Sequence, residues 1–423
     1  MDKELVSNGE KKILKPETLM MGYGYKPEWS EGAVKCPIFQ TSTFVFENAR
    51  DGKKFFEMAH GTREPGKHGA GLIYSRINNP DLEILEDRLT LWDGAESCAA
   101  FASGMATITT TVMEFTQPGD FILASEPIYG GTDGLFDHVL PKYGIKTMNF
   151  GAKHSKEQIL QMVEHAGAKN KIAIIFLETP GNPTNDLIDL EMCVDLAKEL
   201  STPDRKVVTM VDNTFLGPLF QHPLQFGIDL VLYSATKYIG GHADVIAGAC
   251  LGSKDMINRV KALRIAFGTM SDPWTTWLLM RSLETLKMRM ETAVNGAKVV
   301  AEFLSTHSKV QKVYYLGLLK ESDPQYKIYK KQCLSPGAMI SFEIRGDEKA
   351  AFKVLDSLKM IRLAVSLGGT ESLAEHPAAM THSGVEPHKR YEFGITDNLL
   401  RLSVGVEAAE DIIWDLDQAL SQI

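Results

Sequence analysis

Four strand-length apolar runs, at 121–125, 172–177, 207–211 and 228–232, alternate with segments of helical periodicity such as 156–168 and 190–200. Apolar runs of that length suit strands buried on both faces, and their alternation with helices predicts an α/β fold: a central, mostly parallel sheet covered by helices. In such sheets ligands collect at the carboxyl ends of the strands. Residues closing those runs are therefore the first candidates for chemistry.

The flanks read differently. From residue 1 to about 74 periodicity is weak and Gly, Pro and Lys are frequent, which predicts an arm with a loop at 61–71. Leu82, Ile84, Leu85, Leu89 and Leu91 then mark an amphipathic helix. Beyond Gly268 the stretch 273–307 reads as helix with hardly a break, followed by a strand at 339–344 and a last helix at 409–420, which predicts a smaller α+β C-terminal domain. The expected division is 1–75, 76–285 and 286–423. A length of 423 residues with 44% hydrophobic composition supports a large core and more than one domain.

A formal charge of −9 leaves no basic footprint for nucleic acid and directs attention to small-molecule substrates. Cys36, Cys98, Cys193, Cys250 and Cys333 are scattered without pairing spacings, as in a reducing compartment, so the expected location is the cytoplasm. No apolar run has membrane-spanning length, residues 1–16 lack the apolar stretch of a signal peptide, and no membrane partner is expected. His376, His382 and His388 form no known ligand set, so no metal is expected.

Asp212 closes one apolar run and Lys237 follows the next, 237 − 212 = 25 residues later. Both side chains should reach one crevice. A lysine beside the hydroxyls of Ser234 and Thr236 can form an imine while the hydroxyls hold a phosphate, and an aspartate on the neighbouring strand can keep a pyridine nitrogen protonated, making the ring an electron sink. Ala102-Ser103-Gly104-Met105-Ala106 is a small-residue turn ahead of a helix, where backbone N–H groups and the helix dipole favour an anion.

Together with Tyr74-Ser75-Arg76, Tyr129-Gly130-Gly131-Thr132, Glu178-Thr179-Pro180-Gly181-Asn182-Pro183, Ser366-Leu367-Gly368-Gly369 and Arg401-Leu402-Ser403, these segments give the chain an ordered resemblance, over roughly residues 20 to 420, to the cysteine and methionine metabolism enzymes that use pyridoxal 5'-phosphate. The resemblance implies the fold-type I transferase fold, with residues 76–285 binding the cofactor and 286–423 the substrate. It implies Lys237 as the Schiff-base lysine, Asp212 on the pyridinium nitrogen, Tyr129 stacked on the ring, and Gly104, Met105, Ser234 and Thr236 around the phosphate. Tyr74 and Arg76, with the arm 1–75, would serve a neighbouring subunit's site in a homo-oligomer, expected to be a tetramer built from dimers. Arg401 would meet the amino-acid carboxylate, helped by Asn182 and Ser366, a role a guanidinium suits because it pairs with a carboxylate through two hydrogen bonds.

The reaction expected from the resemblance is loss of a γ-substituent after Lys237 removes the α-proton, with Tyr129 as the acid for a departing thiolate. Cystathionine enzymes of the family carry a glutamate at the position of Val365, and valine cannot pair with the distal amino group of cystathionine. The run from Ala364 to Ser383 resembles L-methionine γ-lyases, whose product set is methanethiol, 2-oxobutyrate and ammonia. Gly131 departs from them, since they carry a cysteine there, and with 135–141 it leans toward γ-replacement enzymes: O-acylhomoserine sulfhydrylases or cystathionine γ-synthases. The loop 61–71 also looks longer than in typical lyases. A third reading, a catalytically silent binding or regulatory protein, is opposed by Lys237, Asp212 and Arg401 standing in one chain.

Overall fold

The structure is a computed structural model that describes residues 3–7, 10–59, 61–64 and 71–423. A hairpin of β1 (Glu4–Ser7) and β2 (Glu10–Ile13) comes first. A seven-stranded sheet follows, built from β3 (Ser97–Phe101), β4 (Phe121–Glu126), β5 (Lys146–Gly151), β6 (Ile172–Glu178), β7 (Val208–Asp212), β8 (Leu230–Tyr233) and β9 (Gly248–Gly252), in the order β3-β9-β8-β7-β6-β4-β5. Only β9 runs antiparallel to its neighbours β3 and β8; every other pair is parallel.

The strands divide their side chains between two helical layers. Ile122, Ala124, Ile174, Phe176 and Met210 pack with Ile108, Val112, Ile257 and Val260 of the helices Gly104–Phe115 and Lys254–Phe267. Their alternates Leu123, Ile175, Leu177 and Val211 pack on the other face with Ile159, Val163, Cys193 and Leu196 of the helices Lys156–His165 and Leu190–Leu200. This period-2 division is why β6 is buried at every position and reads as one continuous apolar run.

The expected strands and helices are present, with shifted ends where a side chain or a backbone angle intervenes. The helix expected over 156–168 stops at His165, because Gly167 takes φ 61° and the Ala168 N–H turns back to the Val163 carbonyl. β8 starts at Leu230, two residues late, since the Asp229 carboxylate accepts from both the N–H and the hydroxyl of Thr209. The expected long helix is two, Pro273–Leu283 and Leu286–Thr306. β3, β5 and β9 gave no clear apolar signal. In β9, Gly248 has this composition for a reason: a Cβ there would strike the hydroxyl and backbone at the start of the helix Gly104–Phe115.

The stretch read as an arm is better seated than expected. Met20, Tyr25 and Cys36 are buried and belong to the main core beside Leu82, Leu85 and Leu89. Single anchors of this kind leave no periodicity to read. Of the loop 61–71, residues 65–70 lie outside the described residues.

A second sheet lies toward the C-terminus: β10 (Val310–Tyr314), β11 (Met339–Ile344), β12 (Arg362–Leu363), β13 (Leu373–Glu375) and β14 (Leu399–Ser403), in the order β10-β11-β14-β13-β12. All its pairs are antiparallel except β12 with β13. Among the described residues no helix is long and apolar enough to cross a membrane.

Candidate active site

A cavity of about 260 Å³ opens at the carboxyl ends of β6, β7 and β8, and its lining includes Gly104, Met105, Tyr129, Asn182, Asp212, Ser234, Thr236 and Lys237. Eight of the residues singled out in the sequence thus share one crevice.

One wall is the start of the helix Gly104–Phe115. Ser103 caps it, its hydroxyl accepting from the Ala106 N–H at 2.9 Å, and the first-turn N–H groups have no partner further back in the helix. Gly104 is needed for a close approach: a Cβ there would lie 3.0 Å from the Ser234 hydroxyl. The result is a narrow, N–H-rich and hydroxyl-lined corner suited to a phosphate.

Asp212 ends β7 and is buried, with Thr214 N–H donating to its Oδ1 at 3.0 Å. Glu178, at the end of β6, is its cross-strand neighbour in the register. Burial raises both carboxyls above their ordinary values, and the Asp212 charge adds to the rise at Glu178. A cation placed against Asp212 would relieve that cost. Glu178 was not singled out for a role; its Oε2 accepts the Tyr129 N–H at 2.8 Å and its Oε1 the Asn182 N–H at 2.9 Å, so it fixes the backbone of two lining residues.

Lys237 follows β8, and its Nζ donates to Ser366 Oγ at 2.6 Å. Burial, then the charge of Arg401, pulls the Lys237 ammonium down from 10.5 to about 8, so the reactive neutral amine is far more available near neutral pH than in an exposed lysine, though still the minor form. Ser366 holds φ 96°, a left-handed conformation unusual for a residue with a side chain. Such backbone costs on the order of 1–3 kcal/mol and persists only when the surroundings hold it. Here they do: the Ser366 carbonyl accepts from Arg401 Nη2 at 2.9 Å, and Gly368 follows at φ 72° with no room for a Cβ beside the Tyr238 N–H.

Arg401 sits mid-strand in β14 and is buried. Its Nη1 donates to Asn182 Oδ1 at 2.9 Å and pairs with Glu375 Oε1 at 2.8 Å. Glu375 is a second residue the sequence reading passed over, although it lies inside the run quoted there. Its place becomes evident only from the register, in which Glu375 of β13 stands directly across from Arg401. Thr214, Phe215, Ile246 and Leu367 also line the cavity without having been anticipated. Five expected residues are outside the cavity lining: Ser366 and Arg401 join it through Lys237 and Asn182, Val365 precedes Ser366, and Tyr74 and Arg76 lie elsewhere, with Arg76 Nη1 donating to the Ile265 carbonyl at 2.7 Å. Val365 is 53% exposed, one residue ahead of Ser366.

The family model described as "Cys/Met metabolism PLP-dependent enzyme" matches residues 17–421. The chain belongs to that family. It is a pyridoxal-phosphate-dependent enzyme of carbon–sulfur lyase and transferase chemistry in trans-sulfuration. An L-methionine gamma-lyase of Fusobacterium nucleatum is 39% identical over 394 residues, covering 93% of this chain and 94% of the relative. A cystathionine gamma-lyase of Bacillus subtilis is also 39% identical, over 97% of this chain and all of the relative. Among solved structures, a cystathionine gamma synthase of Xanthomonas oryzae pv. oryzae in complex with aminoacrylate and cysteine superposes with a TM-score of 0.85 at 33% identity, covering 97% of this chain and 99% of that one. The fold is that of the fold-type I pyridoxal-phosphate enzymes.

The residues present fit the cofactor. The corner at Gly104 and Ser234 fits a phosphate, the buried Asp212 carboxylate fits a pyridinium nitrogen, and the Lys237 amine lines the same cavity and meets Ser366, whose carbonyl holds Arg401.

Proposed function

We propose that this chain is an L-methionine γ-lyase, which converts methionine and water to methanethiol, 2-oxobutyrate and ammonia. Val365 carries the reading. It stands next to the Ser366 that meets Lys237, and it offers a charged substrate tail nothing to pair with. Apolar Ile246 and Leu367 in the cavity lining and the methionine γ-lyase relatives support the same conclusion.

Pyridoxal phosphate, when bound, supplies an aldehyde for amino groups and a ring that accepts electrons from the α-carbon. In our reading Gly104, Met105, Ser234 and Thr236 would hold its phosphate, Asp212 would keep its ring nitrogen protonated, Tyr129 would cover its face and Lys237 would hold its aldehyde carbon. The free Lys237 amine would take the proton from Cα, give it up within the site and, neutral again, take one from Cβ, with Ser366 Oγ orienting Nζ. Arg401, held by Asn182 and the Ser366 carbonyl, binds the carboxylate and thereby sets the Cα–H bond in front of Lys237. The Tyr129 hydroxyl returns a proton to the departing sulfur. Tyr74 and Arg76 complete a neighbouring subunit's site, so the working unit is an oligomer, a tetramer built from dimers, placed in the cytoplasm. The division at 1–75, 76–285 and 286–423 into arm, cofactor domain and substrate domain belongs to the same proposal.

A γ-replacement enzyme, either an O-acylhomoserine sulfhydrylase or a cystathionine γ-synthase, is the second reading, favoured by Gly131. A Cβ at 131 would come within 2.5 Å of the Tyr129 ring, so the glycine lets the ring fold where a cysteine would displace it. Val365→Glu tests the first reading. The variant should lose about tenfold in kcat/KM for methionine and gain for cystathionine, a scale set by one desolvated charge contact. Unchanged preference would remove Val365 as the discriminating residue.

A further inference from the structure

We propose that Glu375 is a positioning residue that sets how strongly Arg401 takes a substrate carboxylate. The inference rests on the assignment of Arg401 as the carboxylate site and deepens it.

A guanidinium has five N–H donors. Two are committed, to Asn182 Oδ1 and the Ser366 carbonyl, while the Glu375 carboxylate stands 2.8 Å from Nη1 as an ion pair, so an incoming carboxylate meets a cation that already has an anion beside it. Glu375 therefore does two things at once. As a close ion-pair partner it holds the guanidinium in place beside Asn182 and Ser366, so the donors left free keep one direction. As a negative charge it competes with the substrate, because a carboxylate arriving at Arg401 becomes the second anion on one cation.

The surroundings of Glu375 separate these two effects. Glu375 is 1% exposed; its Oε1 pairs with Arg401 Nη1 at 2.8 Å and accepts from the Thr381 hydroxyl at 2.9 Å, while its Oε2 is buried with no hydrogen-bond partner among the described residues. Lys237 is the other cation whose charge reaches it. Thr381 also meets His382 Nδ1 at 3.0 Å, and its carbonyl lies against Gly130, next to Tyr129. A residue that served packing alone would not need a carboxyl group with one oxygen left unsatisfied in the interior, a costly arrangement.

The test uses the holoenzyme and two probes that perturb the cofactor absorbance: glycine, which carries a carboxylate, and methylamine, which does not. Glu375→Gln keeps the size and the acceptor but removes the charge. It should tighten the dissociation constant for glycine about fivefold, the scale of one partly screened charge at this range, and leave methylamine unchanged. Glu375→Ala, which removes acceptor and charge, should weaken glycine by more than tenfold, again with methylamine unchanged. Thr381→Val leaves Arg401 as the sole partner of Oε1 and should weaken glycine about twofold, in the opposite direction to Glu375→Gln, which gives an independent reading should the glutamine variant misfold. Glycine binding unchanged or weakened in Glu375→Gln, or unchanged in Thr381→Val, would overturn the proposal. Arg401→Lys binding glycine as tightly as the parent would instead overturn the carboxylate-site assignment beneath it.

Discussion

The cofactor end and the substrate end of the cavity are built by different rules. At the cofactor end each functional group stands at or just beyond the end of a parallel strand, or at a helix start, so neighbours in space follow from strand order: Asp212 at the end of β7, Lys237 after β8, Gly104 at the helix start after β3. At the substrate end, Arg401 and Glu375 face each other from antiparallel strands, and Ser366 reaches them through a left-handed backbone turn. Topology specifies the first region, whereas register and local strain specify the second. Substitutions at the first should abolish chemistry, and substitutions at the second should grade binding and selectivity.

The largest effect should come from Lys237→Ala, which removes the absorbance of the bound cofactor's lysine adduct and lowers kcat by roughly a thousandfold or more. A variant that kept both would move the chemistry away from the cofactor end as drawn here. Arg401→Ala should raise KM for methionine more than tenfold, about 2 kcal/mol of lost charge-assisted contact, with kcat falling less. Steady-state kinetics separates the two constants, and equal losses in both would erase the distinction between the regions. Smaller again is Gly104→Ala: the new methyl would crowd the Ser234 hydroxyl, so cofactor affinity should drop several-fold while methionine KM in the saturated enzyme stays put. Equilibrium titration of the cofactor measures it.

The pH dependence has a definite sign. Burial lowers Lys237 to about 8, so its protonated form dominates below that pH and its neutral amine above. Cofactor uptake by the stripped protein should accelerate about tenfold per pH unit up to about pH 8 and level off above it. Acceleration continuing toward 10.5, the ordinary lysine value, would mean that Lys237 is not desolvated as the cavity requires.

The same contrast explains what could be read from the chain. β4, β6 and β7 announce themselves because both their faces are buried, and Asp212 and Lys237 are legible because they follow such runs directly. β3 and β9 are built of small residues that admit a helix closely, so their apolar signal is faint. Glu178 and Glu375 carry no local mark of function. Each acts on a partner brought alongside by strand pairing, Asp212 for one and Arg401 for the other, and no local pattern reveals which strand will lie next to which. Tyr74 and Arg76 were legible by resemblance alone, and within one chain they stand outside the cavity lining.

The decisive measurement is a product assay with purified holoenzyme offered L-methionine, L-cystathionine, and O-acetyl- or O-succinylhomoserine with and without a thiol. We expect methionine alone to yield 2-oxobutyrate and methanethiol in equal amounts, with cystathionine a poorer substrate. Thioether formed from an acylhomoserine and a thiol, with no oxo acid released from methionine, would contradict the account.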